Sequence, residues 1–253
     1  MRVEVWQRLG EPQALAGIMS GYAKREETLV NVELLYHTPE PERAVATAAR
    51  LCYAPVGAAE LMETLSEERI RKVLTTILRS GHLSTLEHAS YTFAVDGISR
   101  ACSHQLVRHR LASYNQQSQR YVTFKEEPEF ILPQSVAEAG AQEEFEQAVR
   151  DAFAAYDKLV RLGVPAEDAR YLLPNACETK IVITMNIREL LHFFSLRCCN
   201  RAQWEIREMA CRMLELARPT APYIFQAAGP GCVRGACPEG AMCCGQPWEE
   251  VAR

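Results

Sequence analysis

ASYTFAVDGISRACSHQLVRHRLASYNQQSQRY, residues 89–121, joins a strand pattern to a helix pattern within one short span. From Ala89 to Gly97 apolar and polar residues alternate, the period of a half-buried strand. From Ile98 onward the small and apolar Ile98, Ala101, Cys102 and Leu106 fall at helical intervals, with Asp96 or Ser99 placed to cap the start. A helix is therefore expected through Ala112, with Arg100, His104 and Arg108 recurring every fourth residue and Gln105 and His109 forming a second such pair. Past Ala112 the run SYNQQSQRY loses the apolar period and reads as a loop of donors and acceptors.

Working outward, Leu29–Thr38 alternates as a strand and PERAVATAARLCY reads as a helix with its proline near the start. Glu67–Arg79 forms a helix ended by Ser80-Gly81, YVTFKEEPEFILP is extended, and the amphipathic run from Glu143 stops at Gly163. Pro165 opens a short helix that Pro174 closes, and KIVITM from Lys180 is a third strand. Asn186 with Glu189, and Asn200 with Gln203, have the spacing of capping boxes for the two helices that follow. The expected fold is a single α+β domain with a small, mainly antiparallel sheet flanked by long helices, over residues 1–228. A Gly/Cys-rich tail occupies 229–253.

Between Gly97 and Lys125 there is no acidic residue, whereas Arg100, Arg108, Arg110, Arg120 and Lys125 are cationic, in a chain of 253 residues with a net charge of −4. A basic island in an acidic protein concentrates an anionic ligand at one place rather than coating the surface for nucleic acid. Ser118 and Arg120 can hold a phosphate through a hydroxyl and a bidentate guanidinium. The plainer alternative is a solvated basic helix end.

The pattern RHR, seven residues, then Ser118 resembles the signature of the flavin-dependent thymidylate synthases. Four further segments follow that family's order: GHLSTLEH from Gly81, ARYLLP from Ala169, MNIRELLHFFSLR from Met185 and AQWEIR from Ala202. The resemblance implies transfer and reduction of the one-carbon unit of 5,10-methylenetetrahydrofolate onto dUMP to give dTMP, with FAD as cofactor and NADPH as reductant. It also implies a homotetramer with active sites between subunits. Carried over residue by residue, it assigns Ser84, Arg108, His109, Arg110, Gln116, Asn186, Arg188 and His192 to the flavin. Gln105, Arg108, Gln116, Ser118, Gln119, Arg120, Arg170 and Arg197 fall to dUMP. Arg197 becomes the catalytic guanidinium against the uracil ring; His82 and Glu87 rank below Ser84. The chain departs from some members at Gln116, where they carry glutamate, and at Gln119, where they carry glycine; His192 stands where members have Asn or His.

A thiolate-dependent route to the same product needs a cysteine in electropositive surroundings. Cys102 is instead expected to pack on the apolar side with Ile98 and Ala101. No GxGxxG follows a strand, and GPGCVRG from Gly229 only mimics one. The opening MRVEVWQRLGEP lacks the apolar core of a signal peptide, and no apolar run is long enough for a bilayer, so a cytoplasmic enzyme with small-molecule partners, no nucleic acid and no membrane is expected. In a cytosolic chain of this size, the 10 cysteines read as reduced thiols or metal ligands. Cys232, Cys237, Cys243 and Cys244 crowd the tail at spacings that match no standard knuckle, which leaves a metal site and a loosely ordered reduced tail both open. Two rival classes are a hydrolase using His82, Glu87 and His88 with His104 or His109, and a single-strand binder stacking bases on Tyr114 and Tyr121. Activity surviving chelation speaks against the first, and a lack of salt-dependent oligonucleotide binding speaks against the second.

Overall fold

The computed structural model describes residues 30–122, 129–246 and 248. The opening MRVEVWQRLGEP, Leu29, Lys125 and the centre of the YVTFKEEPEFILP stretch lie outside the described residues. In chain order the elements are β1 (Asn31–His37), α1 (Pro41–Leu51), α2 (Ala58–Thr64), α3 (Glu67–Ser80), β2 (Ser90–Ser99), α4 (Arg100–Leu106) and β3 (Ala112–Gln116). There follow α5 (Gln134–Glu138), α6 (Gln142–Arg161), α7 (Ala166–Ala169), β4 (Glu178–Asn186), α8 (Ile187–Arg197), α9 (Trp204–Ala217) and α10 (Pro222–Phe225).

The four strands make one antiparallel sheet in the order β1-β2-β4-β3, so the expected α+β architecture holds. On one face Tyr91, Phe93 and Val95 of β2 and Ile181, Ile183 and Met185 of β4 are buried in the same core as Phe193, Phe194, Ile206, Met209 and Met213 of α8 and α9. At about 25 cal/mol per Å² of apolar surface, such a two-layer core supplies the main driving force for folding. The opposite face is open: the Thr92 and Thr184 hydroxyls bond across it at 2.9 Å, and Val182 and Tyr36 are exposed. A bulge between Val95 and Ile98 places Gly97 at φ 69, a conformation that suits glycine. Among the described residues no helix is long and apolar enough to cross a membrane.

Three local expectations are corrected. The basic helix is only α4, capped by Ser99 and ended at Leu106, so Arg108 lies in the following turn; Ala101 is exposed. SYNQQ is not loop: Ala112–Gln116 is the edge strand β3, paired with β4 from Ala112↔Met185 to Gln116↔Ile181. Gln203, not Asn200, caps α9, accepting from the Glu205 and Ile206 amides.

Glu205 itself turns inward. Buried on α9, its carboxylate accepts from the Ser99 main-chain N–H and, at 2.7 Å, from the Ser99 hydroxyl, which fixes the start of α4 against α9. Glu205→Ala strands both donors, and a loss of roughly 2–3 kcal/mol in unfolding free energy is expected in chemical denaturation.

Candidate functional site

The chain leaves α4 in a tight turn that carries Arg108, His109 and Arg110 and feeds directly into β3. Tyr114 of β3 pins that turn: its hydroxyl lies 3.0 Å from the Leu106 carbonyl and 2.8 Å from that of His109, donating to one at a time. As a result His109 is buried, while Arg108 and Arg110 on either side of it are exposed.

His109 is held at both ring nitrogens. Its Nδ1 lies 3.1 Å from Oε1 of Glu189, and Arg197 donates from Nε to His109 Nε2 at 3.0 Å. A guanidinium N–H can only donate, so Nε2 must offer a lone pair and the ring proton must sit on Nδ1, facing the carboxylate. The imidazole is therefore neutral and fixed in one tautomer. Burial pushes its pKa below the ordinary imidazole range, and the adjacent Arg197 charge adds to that, against the opposing pull of Glu189. Phe193 packs edge-on against the ring at 4.9 Å, and His192 approaches at 5.8 Å. Arg197 also reaches the Gln105 carbonyl at 3.5 Å. Burial draws the Arg197 pKa down, yet from so high a start the guanidinium keeps its charge.

Above this chain of side chains opens a cleft of about 700 Å³. Arg108, Arg110, Arg188 and Arg234 supply its cations, and Leu78, Leu83, Leu111, Leu191, Ile224 and Ala227 its apolar wall. Arg188 is paired with Glu87, which ties the 3-10 turn Leu83–His88 to α8. A cleft of this size, with cations beside an apolar wall, suits a ligand that is both anionic and aromatic.

A second group gathers around Glu167, just before the 3-10 turn Arg170–Leu172. Arg120 Nε donates to the Glu167 carboxylate at 2.8 Å, and Arg170 Nε donates to the Glu167 carbonyl at 3.1 Å. The Ser118 hydroxyl accepts from the Arg120 amide at 3.1 Å. Arg100 Nη1 reaches the Gln117 carbonyl, and its pKa is lowered by burial and then by the nearby Arg170 charge. Arg120 and Arg170 thus meet at Glu167, and Arg100 lies near enough to Arg170 for their charges to interact.

Of the residues singled out in the sequence, Arg108, His109, Arg110, Arg188 and His192 line the cleft. Arg197 and Gln105 lie behind His109, and Ser118, Arg120 and Arg170 form the second group. Ser84 is exposed on its 3-10 turn beside the cleft-lining Leu83. Asn186 caps α8 through the Glu189 amide at 2.9 Å, Gln116 bonds Thr179 at 3.1 Å on the sheet, and Gln119 occupies the turn after β3. His82 and His88 are both exposed. Cys102 is fully buried, and burial pushes its thiol well above the ordinary range, with Glu205 adding to the shift. Among the described residues no three His, Cys, Asp or Glu side chains stand as metal ligands.

Three functional side chains escaped the sequence reading. Glu189 passes for the second half of a capping box, but its carboxylate leaves Asn186 and turns to His109. The available signal was an acid one turn before Phe193, on the apolar stripe of α8. Glu167 gave no signal, since the partner of its carboxylate, Arg120, comes from the turn after β3, 47 residues away. Arg234 sits in the Gly/Cys tail yet lines the cleft, with its Nη1 on the Ala227 carbonyl at 3.1 Å.

Residues 33–223 match the family model described as thymidylate synthase complementing protein. A flavin-dependent thymidylate synthase of Geobacter sulfurreducens is 58% identical over 223 residues, covering 87% of this chain and 96% of the relative. Relatives of the same description from Clostridium tetani and Pyrococcus furiosus are 48% and 45% identical, covering 87% and 83% of this chain and 95% and 90% of their own lengths. Among solved structures, a UMP/dUMP methylase from Streptomyces cacaoi bound with 5-Br dUMP superposes with a TM-score of 0.68 at 26% identity, covering 78% of this chain and 93% of the other.

Proposed function

Since this chain belongs to the flavin-dependent thymidylate synthase family, we propose that its arginine-walled cleft holds FAD and that the Ser118, Arg120 and Arg170 group receives the phosphate of dUMP. The activity is that of a flavin-dependent thymidylate synthase, a methyltransferase of nucleotide biosynthesis. We assign NADPH as the reductant and 5,10-methylenetetrahydrofolate as the one-carbon donor. The observation that carries the reading is the cleft itself: four guanidiniums face an apolar wall, which fits a pyrophosphate joined to a planar ring system. When bound, the flavin supplies the hydride chemistry that amino-acid side chains lack.

The chain's own residues do the rest. Arg108, Arg110, Arg188 and Arg234 neutralise and orient the anionic part of the cofactor, while Leu78, Leu83 and Leu111 keep water from its apolar part. Arg197 has one edge fixed by His109 Nε2 and the Gln105 carbonyl, and we assign this pre-set guanidinium to the nucleotide. Negative charge developing on the uracil ring as C5 becomes nucleophilic is stabilised by this cation, and because it is already oriented no reorganisation is needed at that moment. His109 accepts from Arg197 and holds it, and Glu189 holds His109. Ser118 binds rather than attacks, since its hydroxyl already accepts from the Arg120 amide and lies in a cationic group suited to phosphate. The buried thiol of Cys102 plays no part in the chemistry.

Glu167 pairs with Arg120, so a phosphate bound by Arg120 competes with a carboxylate. Arg120→Ala is expected to weaken dUMP binding about 10- to 100-fold, the worth of one charged hydrogen-bonded contact, while flavin content stays at the parent level. Calorimetric titration with dUMP checks the first part and the flavin absorbance of the same samples checks the second.

A homotetramer is our further proposal, supported by the open sheet face bearing Tyr36 and Val182. So is a cytoplasmic setting, the kind of compartment in which a chain of this size keeps its 10 cysteines as thiols. The test of the whole reading is a visible spectrum after incubation with FAD and desalting, followed by NADPH in the presence of dUMP. Retained flavin bands that bleach are expected, and a colourless protein overturns the cofactor assignment.

A further inference from the structure

Five cysteines from two distant parts of the chain wall one small cavity. Cys199 comes from the connection between α8 and α9, and Cys232, Cys237, Cys243 and Cys244 come from the tail. The tail is fastened there by side chains of that connection: Arg201 Nη1 donates to the Met242 carbonyl at 2.6 Å, and Asn200 Nδ2 to that of Gln246 at 3.4 Å. Arg207 in turn grips the Asn200 carbonyl and side-chain oxygen. Gly231 abuts Pro238 so closely that an added Cβ would lie 2.5 Å from Pro238 Cγ, which keeps the turns bearing Cys232 and Cys237 in contact.

Main-chain N–H groups point at three of the sulfurs. Gly245 N donates to Cys243 Sγ, Gln246 N to Cys244 Sγ and Trp248 N to Cys232 Sγ, each at 3.4 Å. At Cys243 and Cys232 such donors favour the thiolate, the form that ligates metals, whereas Cys244 Sγ also donates to the Gln246 carbonyl at 3.3 Å. The cavity measures about 20 Å³, room for one water-sized occupant and far too little for an iron–sulfur cluster. A single soft ion held by thiolates at tetrahedral corners fits that volume.

We propose that Cys199, Cys232 and Cys237, with one of the adjacent Cys243 and Cys244, ligate a single thiophilic divalent ion of the zinc type. Adjacent residues strain to serve one ion together, so one of the pair stays outside the ligand set. Four thiols each release a proton as the ion enters, leaving a centre of net charge −2. Arg201 on the cavity wall and Arg234, whose charge acts on Cys232, offset it. Among the described residues no three of these sulfurs stand together as ligands of one ion, so the proposal requires the side chains to rotate into the cavity. The site escapes a reading of the tail alone because its first ligand lies more than thirty residues upstream, within the segment 33–223 that matches the family model.

Elemental analysis of the full-length, flavin-loaded protein after expression in zinc-replete medium is the test. About one zinc per chain is expected in the parent and in Cys52→Ser, whose cysteine is exposed and outside the cavity. Cys199→Ser and Cys237→Ser should each lose at least about nine-tenths of it, and comparing Cys243→Ser with Cys244→Ser identifies the fourth ligand. Should these variants fail to fold, release of zinc from the parent as its thiols are modified, read with a chromogenic chelator, supports the proposal in their place. A parent without stoichiometric zinc, a Cys199→Ser protein that keeps it, or iron–sulfur absorbance overturns the proposal. Flavin content of the same samples reports on the cleft separately.

Discussion

Arg197→Ala is expected to retain flavin and to lose dTMP formation by about 10²- to 10³-fold, the effect of deleting one pre-oriented donor from a developing negative charge. The guanidinium lies behind His109 and contributes nothing to the cleft lining, so cofactor binding has no reason to change. A lysine there carries the charge but cannot offer one N–H to His109 and another to the Gln105 carbonyl in a fixed fork, so Arg197→Lys should recover only part of the rate. Single-turnover assays of flavin-loaded protein separate the two effects. Formation of dTMP by Arg197→Ala at the parent's rate refutes the catalytic assignment.

The second large effect is expected at Glu189. Glu189→Ala leaves the buried Nδ1–H of His109 without an acceptor, which costs roughly 1–3 kcal/mol of stability and frees Arg197 along with the ring. Glu189→Gln is more informative, because the amide oxygen can still accept that proton while the charge is gone. The parent's activity should fall on the acid side, where His109 takes a second proton and can no longer accept from Arg197. Glu189 is the influence that raises the His109 pKa against burial and Arg197, so removing its charge lets that pKa drop further. The acid limb of the pH–rate profile should therefore move to lower pH in Glu189→Gln, a shift that a merely structural role does not produce.

Stability follows the same sign. The unfolded chain protonates His109 near the ordinary value of about 6.5, whereas the folded chain resists until lower pH. The folded state thus loses up to about 1.4 kcal/mol per pH unit between those two points and nothing above them. A chemical-denaturation series across that window checks it.

Much of the architecture was legible because burial writes a period into the sequence. Strands β2 and β4 alternate cleanly, α3 and α6 end at glycines as expected, and Ser99 and Asn186 stand where caps are needed. Strand β3 was not legible, because an edge strand with Ser113 and Asn115 facing solvent carries no apolar alternation and exists only by pairing with β4. The basic helix was read too long for a related reason. Helical spacing continues to Arg108, but the chain gains more by burying His109 between Glu189 and Arg197 and seating Tyr114 on the turn. The candidate site shows the same division: cationic residues were found from their clustering, whereas Glu189 and Glu167, the acids that position them, act through contacts far apart in sequence.

Cys232 and Arg234 occupy a single 3-10 turn, Gly231–Arg234, one residue facing the thiol-lined cavity and the other the arginine-walled cleft. A turn shared by two pockets offers a route by which their proposed occupants can act on each other. Whatever factor an occupant of the cleft gains from a settled tail, an occupant of the tail gains from a filled cleft, because the two orders of binding close one cycle. The last stretch of the chain is in that sense a lever with a ligand at each end.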